Sequence, residues 1–480
     1  MDIISAIYSF ITDIFTAAAN FMENPATMAE LEERITAASH NTNAQILGQI
    51  LELYDSFLRE LPAVKSRYII QRSRERTLIT TFGDVTFKRT LYRSREDGTY
   101  HYLLDEKMHL PRDEHFSALA EVEVLKEATK SSYQRAADRL QIGGQSISKV
   151  AVMNKVHGVL EELPLEQREP KKACEYLYIE ADEDHVHRQK AGREVKGDCI
   201  IAKLVYVYEG KEEVCKGRRR LISPTYLGGR YAGSEANKRL WERVDEYIRK
   251  NYDTEVLKKV YIIGDGGAWI KAGCEYVGKS EFVADKYHLM KYINAASRQM
   301  LDEAEETKGK FYRHIYKNRR KKAQKLLTSM KNSAPNPKPV EALENFLMNN
   351  WDAVQKAYKD KHVYGCSAEG HVSHIYADRM SSRPMGWSET GSDRMCRLRC
   401  LVSSEGEKKI IDLVEARREK IFEERLATGT DGIQVDRPMV NKRFTPAQKE
   451  MAAYAEAMHA RFTSMLIRKQ IAIKLRMNDL

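Results

Sequence analysis

Apolar positions near the amino terminus recur at helical spacing. Within residues 28–61, Ile46, Ile50 and Leu53 fall on one helical face, and Pro62 ends the pattern. This spacing predicts one long helix whose apolar face packs against the rest of the chain or against a second copy of itself.

The pattern changes to β-rich segments between Thr77 and Leu104. The run TLITTFGDVTFKRTLY is followed by the turn Asp97-Gly98 and by TYHYLL. These features predict a small β-meander that forms a separate module.

Helical spacing returns over residues 116–163, where a Gly-Gly pair interrupts it. Ser146 or Ser148 can cap the second helix. Helix, glycine turn and helix form the outline of a helix-turn-helix, in which Lys149 and Lys155 would face DNA. An ordinary helical hairpin is the alternative interpretation.

Strand-like apolar runs dominate the chain from residue 172. They are YLYIEAD, CIIAKLVYVY, RRLISPTYL and VLKKVYIIGD, with a helical segment over Ser234–Asn251 before the fourth and a short run, EFVAD, after it. Three strands, a helix and a buried strand that ends in Asp form an α/β order compatible with an RNase H-like core.

Residues 289–361 are helical and strongly basic, and the linker SAPNPKP divides them. In FYRHIYKNRRKKAQKLL, aromatic and basic side chains alternate, a mixture that suits phosphate contact with base stacking. A solvated helix face is the alternative. The residues predicted to bind DNA here are Arg319, Arg320, Lys321 and Lys322.

These patterns divide the chain into seven segments. They are an N-terminal helical region (1–70), a β-meander (71–112), a helix-turn-helix-like region (113–168), the first part of an RNase H-like core (172–288), a basic helical insertion (289–361), the second part of the core (362–425) and a helical tail (426–480). In the tail, Thr445 and Pro446 predict the start of a last helix.

Composition narrows the class of protein. The 480 residues are 42% hydrophobic and 31% charged, which is typical of an ordered protein. The formal net charge of +10 favours contact with phosphate backbones, although an ordinary basic cytosolic protein can carry the same charge. Seven scattered cysteines without a CxxC pair predict reduced thiols in the cytoplasm.

The N-terminal segment MDIISAIYSFITDIFTAAANFM is apolar enough to resemble a signal peptide. It contains Asp2 and Asp13 and lacks a basic beginning, so we interpret it as an amphipathic or oligomerising helix. No uninterrupted apolar run has the length that spans a bilayer, and we expect no membrane partner.

Acidic residues follow two of the predicted strands. The first run ends at Asp182, with Glu180 and Asp184 as rivals, and the fourth ends at Asp265 in IIGDGG. Carboxylates gathered at strand ends repel one another unless divalent cations neutralise them, and Mg²⁺ prefers oxygen ligands. Two ions about 3.5–4 Å apart can cleave a phosphodiester, a reaction that calls for a third carboxylate.

Glu369, in GCSAEGHVSH, is the preferred third carboxylate, with Glu389 as the alternative. A zinc site at Cys366, His371 and His374 is disfavoured because a fourth ligand is not evident. A row of arginines nearby forms a candidate path for phosphates. They are Arg379, Arg383, Arg394, Arg397 and Arg399.

The motifs YIEADEDHVH, YIIGDGGAWIKAG, FVADKYHLMKY and GCSAEGHVSHIYADRMSSRPMGWS resemble the ISLre-type bacterial insertion-sequence transposases, as does TLITTFGDVTFKRTLYRS near the amino terminus. Asp285-Lys286-Tyr287-His288 also fits the D-x-x-H signature of Mutator-like transposases.

The resemblance implies a DDE triad of Asp182, Asp265 and Glu369 that binds two Mg²⁺ or Mn²⁺ ions, with His288 near the cleaved phosphate. It also implies terminal inverted repeats and target DNA as partners, a homo-oligomer that joins two ends, and a location at the bacterial nucleoid. The alternatives are a domesticated, non-catalytic DNA-binding protein and a nuclease of the same fold.

Overall fold

The computed structural model describes residues 3–23, 27–139, 147–160, 162, 163, 165, 167–189, 199–382 and 385–427. The described residues form two compact units, of which the first holds those up to 120 and those from 415 onward. The second holds the described residues between 121 and 414. The predicted helix at Thr445 and the Gly-Gly pair lie outside the described residues.

The first unit combines helices with a three-stranded antiparallel sheet of order β1-β2-β3. Its elements are α1 (Ile3–Glu23), α2 (Met28–Glu60), α3 (Pro62–Arg67), β1 (Tyr68–Thr80), β2 (Gly83–Ser94), β3 (Tyr100–His101) and α4 (Leu103–Lys107). The predicted meander is present, but β1 begins nine residues before Thr77. That first half is almost wholly exposed, so it lacks the alternation that marks a half-buried strand.

Helix α2 matches the helix predicted over 28–61. Thr27 caps it by accepting a hydrogen bond from the Glu30 amide at 3.3 Å. The helix packs on β2, where the Asp55 carboxylate accepts hydrogen bonds from the Thr90 amide at 3.0 Å and the Thr90 hydroxyl at 2.6 Å.

Helix α1 is the one helix in the described part of the chain that is long and apolar enough to cross a membrane. The apolar run is interrupted at Asp13, which is why run length alone did not single it out. A signal sequence passes the same test of length and composition.

The remaining elements follow in chain order. They are α5 (Ala118–Lys130), α6 (Tyr133–Arg139), α7 (Lys149–His157), β4 (Tyr176–His187), β5 (Cys199–Tyr208), β6 (Gly210–Cys215), β7 (Arg218–Ile222), β8 (Thr225–Gly229), α8 (Ser234–Asn251), β9 (Lys259–Gly264), α9 (Ala268–Lys271), α10 (Gly273–Tyr276), β10 (Ser280–Ala284), α11 (Lys286–Ser297), α12 (Ala304–Tyr316), α13 (Arg320–Ser333), α14 (Lys338–Asn349), α15 (Trp351–Lys359), α16 (Ala368–Val372), α17 (Asp378–Met380), α18 (Glu389–Glu405) and α19 (Ile410–Ala427).

The second unit is a mixed α/β structure around a five-stranded sheet of order β10-β9-β4-β5-β8. Strands β10, β9 and β4 run parallel, whereas β5 is antiparallel to both β4 and β8. The run RRLISPTYL, predicted as one strand, divides at Pro224 into β7 and β8, because proline removes a ladder donor. Strands β6 and β7 pair as a separate hairpin.

Helix α8 covers one face of this sheet and has the bounds that the sequence predicted. Its apolar side packs Leu240, Trp241 and Val244 into a core shared with Leu177 and Ile179 of β4. The segment predicted as a basic insertion forms α11–α15, whose apolar sides build a second core around Phe311 and Leu343. The strands that carry the predicted acidic residues are therefore packed against α8 through a buried core.

Candidate functional site

Three aspartates lie where the parallel pairing of β4, β9 and β10 stops. Asp265 and Asp285 directly follow their strands, whereas the strand end predicted at Asp182 is wrong, because β4 continues to His187 through its pairing with β5. Strands β4 and β9 pair in register up to Glu180 and Ile263, so two further residues bring Asp182 beside Asp265. Strand β10 pairs with β9 up to Ala284 and Gly264, and the next residue is Asp285. The Asp285 amide donates to the Gly264 carbonyl at 2.9 Å. Adjacent strands lie about 4.8 Å apart, which sets the spacing of this acidic row.

Asp182 is half-buried in this row. Burial, with added repulsion from Asp265 and Glu183, raises the pKa of Asp182 to about 6, although the Glu183 amide and His288 oppose the shift. The Glu183 amide donates to Asp182 Oδ1 at 2.9 Å. The mutual repulsion of Asp182 and Asp265 favours protonation of one of them or binding of a cation.

Asp265 lies in the turn after β9. Its Oδ1 accepts a hydrogen bond from the Gly267 amide at 2.9 Å, and this bond orients the carboxylate within the turn. Gly266, with φ of +89°, gives this turn a backbone conformation that a side chain would strain.

His288 is oriented by Asp285. The Asp285 carboxylate caps α11, accepting from the Tyr287 amide at 2.9 Å, and contacts His288 Nδ1 at 2.7 Å. This hydrogen bond raises the pKa of His288, with further contributions from Asp182 and Asp265 and with burial in opposition. The raised pKa favours the protonated, positively charged form of His288 beside the two aspartates.

Glu369 stands in the first turn of α16 and is exposed. It lies against the hydroxyl of Tyr287, and its negative charge raises the pKa of Tyr287. The Tyr287 and His288 rings are 5.7 Å apart, so Tyr287 links Glu369 to the aspartate row.

Glu180 positions α16. Its fully buried carboxylate accepts hydrogen bonds from the Ser367 amide at 2.6 Å, the Tyr208 hydroxyl at 2.5 Å and Lys211 Nζ at 2.8 Å. The Tyr206 hydroxyl donates to it as well. Burial opposes ionisation, but Lys211 and these donors hold the pKa of Glu180 below its usual value. Glu180 is therefore an anchor for the segment that carries Glu369.

The other rival acids have structural partners. Asp184 shares the face of Asp182, as the two-residue period of a strand requires, and accepts a hydrogen bond from the Ser381 hydroxyl at 2.8 Å. Glu389 begins α18 and pairs with both Arg188 and Arg230.

The donor set of Asp182 and Asp265 suits Mg²⁺, which is commonly held by one or two carboxylates plus water and substrate phosphate. Among the residues that the structure describes, no group of three or more His, Cys, Asp or Glu side chains is arranged to hold a metal ion. Glu369 is thus a neighbour of the aspartate pair through Tyr287 and does not share one ligand set with it.

The three side chains considered as zinc ligands have different surroundings. Cys366 Sγ contacts Glu180 at 3.5 Å, whereas His371 Nδ1 contacts the Tyr226 hydroxyl at 2.9 Å. His374 is exposed.

Several predicted DNA-binding residues are exposed on helices. They are Lys149 on α7 and Arg319, Arg320, Lys321 and Lys322 at the start of α13. Arg320 also donates to the Met348 carbonyl at 3.0 Å. Arg383 lies outside the described residues.

Two DNA-binding predictions are corrected by burial. The Lys155 side chain is 11% exposed and reaches Glu121 at 3.5 Å, because the face of α7 that carries Val152 and Val156 turns it inward. Arg379 is 5% exposed, donates to the Ala128 carbonyl at 2.9 Å and stacks on Trp387.

The arginine path is corrected too. Arg397 is buried, pairs with Asp393 of its own helix at 2.8 Å and donates to the Tyr231 hydroxyl at 3.1 Å, and Arg399 donates to the His374 carbonyl at 2.7 Å. These guanidinium groups join segments of the second unit to one another. The spacing of these arginines in the sequence does not show which groups they contact, so their structural role could not be predicted from it.

Sequence reasoning missed three supporting residues: Lys211, Asp285 as a helix cap, and Tyr287. Asp285 carried a usable signal, since an acid directly before a helical pattern is a typical cap. Lys211 lies in the unpredicted hairpin, and no local pattern joins it to Glu180.

Residues 21–417 match a family described as an uncharacterised protein family, UPF0236. A UPF0236 protein of Caldanaerobacter subterraneus subsp. tengcongensis is 31% identical over 407 residues, which cover 84% of each chain. A second one from the same organism is 30% identical and covers 84% of this chain and 85% of its own. A solved Drosophila P element transposase strand transfer complex is 12% identical, covering 68% of this chain and 89% of that one, with a TM-score of 0.22. A TM-score this low does not establish a common fold.

Proposed function

The chain belongs to the UPF0236 family, and we propose that it is a DDE transposase that cleaves the ends of its own insertion sequence and joins them to target DNA. The observation that carries the proposal is the position of Asp182 and Asp265 just beyond the last parallel pair of β4 and β9, with His288 beside them. Strand ends of this kind line the crevice where α/β sheets bind ligands.

The sheet topology supports an RNase H-like core. Three antiparallel strands, β4, β5 and β8, are followed by α8 and by two parallel strands, β9 and β10. The acidic row runs across three neighbouring strands of this sheet, β4, β9 and β10. Glu369, the carboxylate assigned to the last core helix, follows the helices α11–α15 in the chain.

The relatives support a mobile element. The name of one UPF0236 protein joins eleven locus designations from a single bacterial strain. A transposase gene is copied with its element, so many near-identical copies in one genome are expected.

Asp182 and Asp265 are the residues that would hold Mg²⁺ or Mn²⁺, and Glu369 would complete the ligands for two ions only after its contact with Tyr287 is released. The ions would neutralise charge on the phosphate and activate the attacking oxygen. His288, held by Asp285 at Nδ1, offers Nε2 to a phosphate oxygen next to that pair. Tyr287 contacts Glu369, and in this proposal DNA binding releases that contact. The exposed basic start of α13 and Lys149 bind the flanking DNA.

The test is a cleavage and strand-transfer assay on DNA that carries both sequences flanking the gene, with Mg²⁺, with Mn²⁺ and with chelator. We expect metal-dependent cleavage followed by joining to target DNA. Asp265→Asn, Asp182→Asn and Glu369→Gln should each reduce the rate by at least about 10³-fold, the scale of losing a principal transition-state interaction.

Asp184→Asn is the matched control, because Asp184 lies two residues from Asp182 on the same face but is bound to Ser381. It should retain most activity. Full activity of Asp265→Asn would refute the proposal. Cleavage without joining would identify a nuclease of the same fold, and binding without either step a non-catalytic protein.

A further inference from the structure

A cavity of about 340 Å³ opens beside Asp265, between the turn after β9 and the helices α11 and α14. This volume is at the lower end of the range for small-ligand pockets. Its lining includes Asp265, Gly266, Lys271, Tyr292, Asn349 and Asn350.

Asn350 carries an unused acceptor in this cavity. The residue is 7% exposed, and its Nδ2 donates to the Phe346 carbonyl at 2.8 Å. Its Oδ1 is buried and has no hydrogen-bond partner among the residues that the structure describes. A buried amide oxygen without a donor is unfavourable, so a ligand that supplies an N–H group would relieve the cost.

Gly266 brings this acceptor against the turn that holds Asp265. A Cβ atom at Gly266 would lie 2.9 Å from Asn350 Nδ2 and 3.2 Å from Oδ1. Asn350 and Asp265 therefore belong to one site, and only glycine allows this approach without displacing the amide.

The other walls supply the remaining chemistry of base recognition. The Tyr292 and Phe346 rings, 5.0 Å apart, form an aromatic wall, and Lys271 provides a cation. Asn345 and Asn349 present exposed carboxamides at the opening. Aromatic rings, carboxamides and a cation are the groups with which proteins bind an unstacked base and its phosphate.

We propose that this cavity receives one nucleobase of the DNA strand held at Asp265, and that Asn350 Oδ1 accepts a hydrogen bond from its exocyclic amino group. Adenine and cytosine carry that amino group, whereas thymine presents a carbonyl oxygen at the corresponding position. The inference rests on the proposed function, because it takes the Asp265 strand end as the place where DNA binds.

The test measures binding of the full chain to fluorescent single-stranded 12-mers of dA, dC and dT by anisotropy, in chelator so that no cleavage occurs. We expect dA and dC to bind about tenfold more tightly than dT, the effect of roughly one specific hydrogen bond. Asn350→Ala should abolish this preference and leave dT binding unchanged. Asn332→Ala, at an exposed asparagine of α13 outside the cavity, is the matched control and should retain the preference.

A second measurement does not depend on folding of the Asn350 variant. A dC 12-mer containing 5-iodocytosine should crosslink the wild-type chain under ultraviolet light at Tyr292 or Phe346. Equal affinity for all three oligomers, a preference that survives in a folded Asn350→Ala chain, or crosslinks confined to other segments would each overturn the inference. Binding of dAMP alone as tightly as the dA 12-mer would overturn the assignment to a DNA strand.

The two proposals fail separately. Metal-dependent cleavage without base preference removes only the cavity inference. Base preference without any cleavage supports the cavity and removes the transposase proposal.

Discussion

Glu180 and Asp182 are two positions apart on the same face of β4, yet their surroundings differ. Glu180 meets Lys211 and two tyrosine hydroxyls, which lower its pKa, whereas Asp182 meets Asp265, which helps burial to raise its pKa. A carboxylate whose charge is already compensated supports the fold. One whose charge is not compensated is available for a cation or a substrate proton.

Glu180→Gln should destabilise the chain by about 3–5 kcal/mol, because it leaves the Lys211 ammonium, 7% exposed, without its carboxylate. Urea titration followed by tryptophan fluorescence measures this change. Glu175→Gln is the control, since its pair with Lys258 is exposed and should contribute at most about 1 kcal/mol. Equal losses in the two variants would argue against the anchoring role of Glu180.

Asp182→Asn should raise the melting temperature in chelator at pH 8, because it removes a half-buried charge that Asp265 repels. Adding Mg²⁺ should raise the melting temperature of the wild type and have less effect on the variant, since a ligand has been lost. Differential scanning fluorimetry checks both effects. An identical Mg²⁺ response in the two proteins would contradict cation binding at Asp182.

At the scale of elements, strands and long helices are specified locally, whereas the connections that hold the site depend on contacts between distant segments. Helix α18, capped by Ser388 at 3.0 Å from the Gly391 amide, packs against α7. A Cβ atom at Gly391 would lie 2.9 Å from His157 Nε2, so the imidazole sits tightly between the two helices.

Burial and the nearby Arg394 lower the pKa of His157. The unfolded chain therefore binds this proton first on acidification, and the contribution of neutral His157 is complete above pH about 6.5 and lost as pH falls through its folded pKa. Between pH 7.5 and 5, His157→Gln should lose less thermal stability than the wild type, as calorimetry would show. His187→Gln, at an exposed strand position, should follow the wild type. A parallel pH profile for the His157 variant would contradict this account.

At the scale of the whole molecule, only part of the basic side chains behind the net charge of +10 is exposed to solvent. Arg379 and Arg397 are buried in packing, whereas the start of α13 keeps its basic side chains in solvent. A count of charges overstates the exposed basic surface, because part of the positive charge joins segments of the fold.

The double variant Lys321→Ala and Lys322→Ala should weaken DNA binding on all sequences alike and reduce the slope of log K against log salt by about 2. The Lys238→Ala and Lys250→Ala pair on α8 removes the same charge where both lysines already face glutamates, and should change the slope little. Anisotropy titrations at several salt concentrations provide the comparison. Equal slopes for the two double variants would place the DNA elsewhere.

The sequence by itself determined the elements with strong local signals. Helix α8 has its predicted bounds, the strand end before Asp265 was identified from its apolar run, and the helices α11–α15 form in the segment predicted to be helical. The strand end predicted at Asp182 is wrong, because β4 continues to His187. Apolar periodicity and caps act over a few residues, which is why they can be read from the sequence alone.

Only the tertiary structure decided which polar residues share a site. It separated Glu180 from Asp182 through Lys211, turned Lys155 and Arg379 inward, and placed Asn350 against Gly266. These outcomes depend on strand register and on packing between residues far apart in the chain, and the energy of each polar group depends on those neighbours.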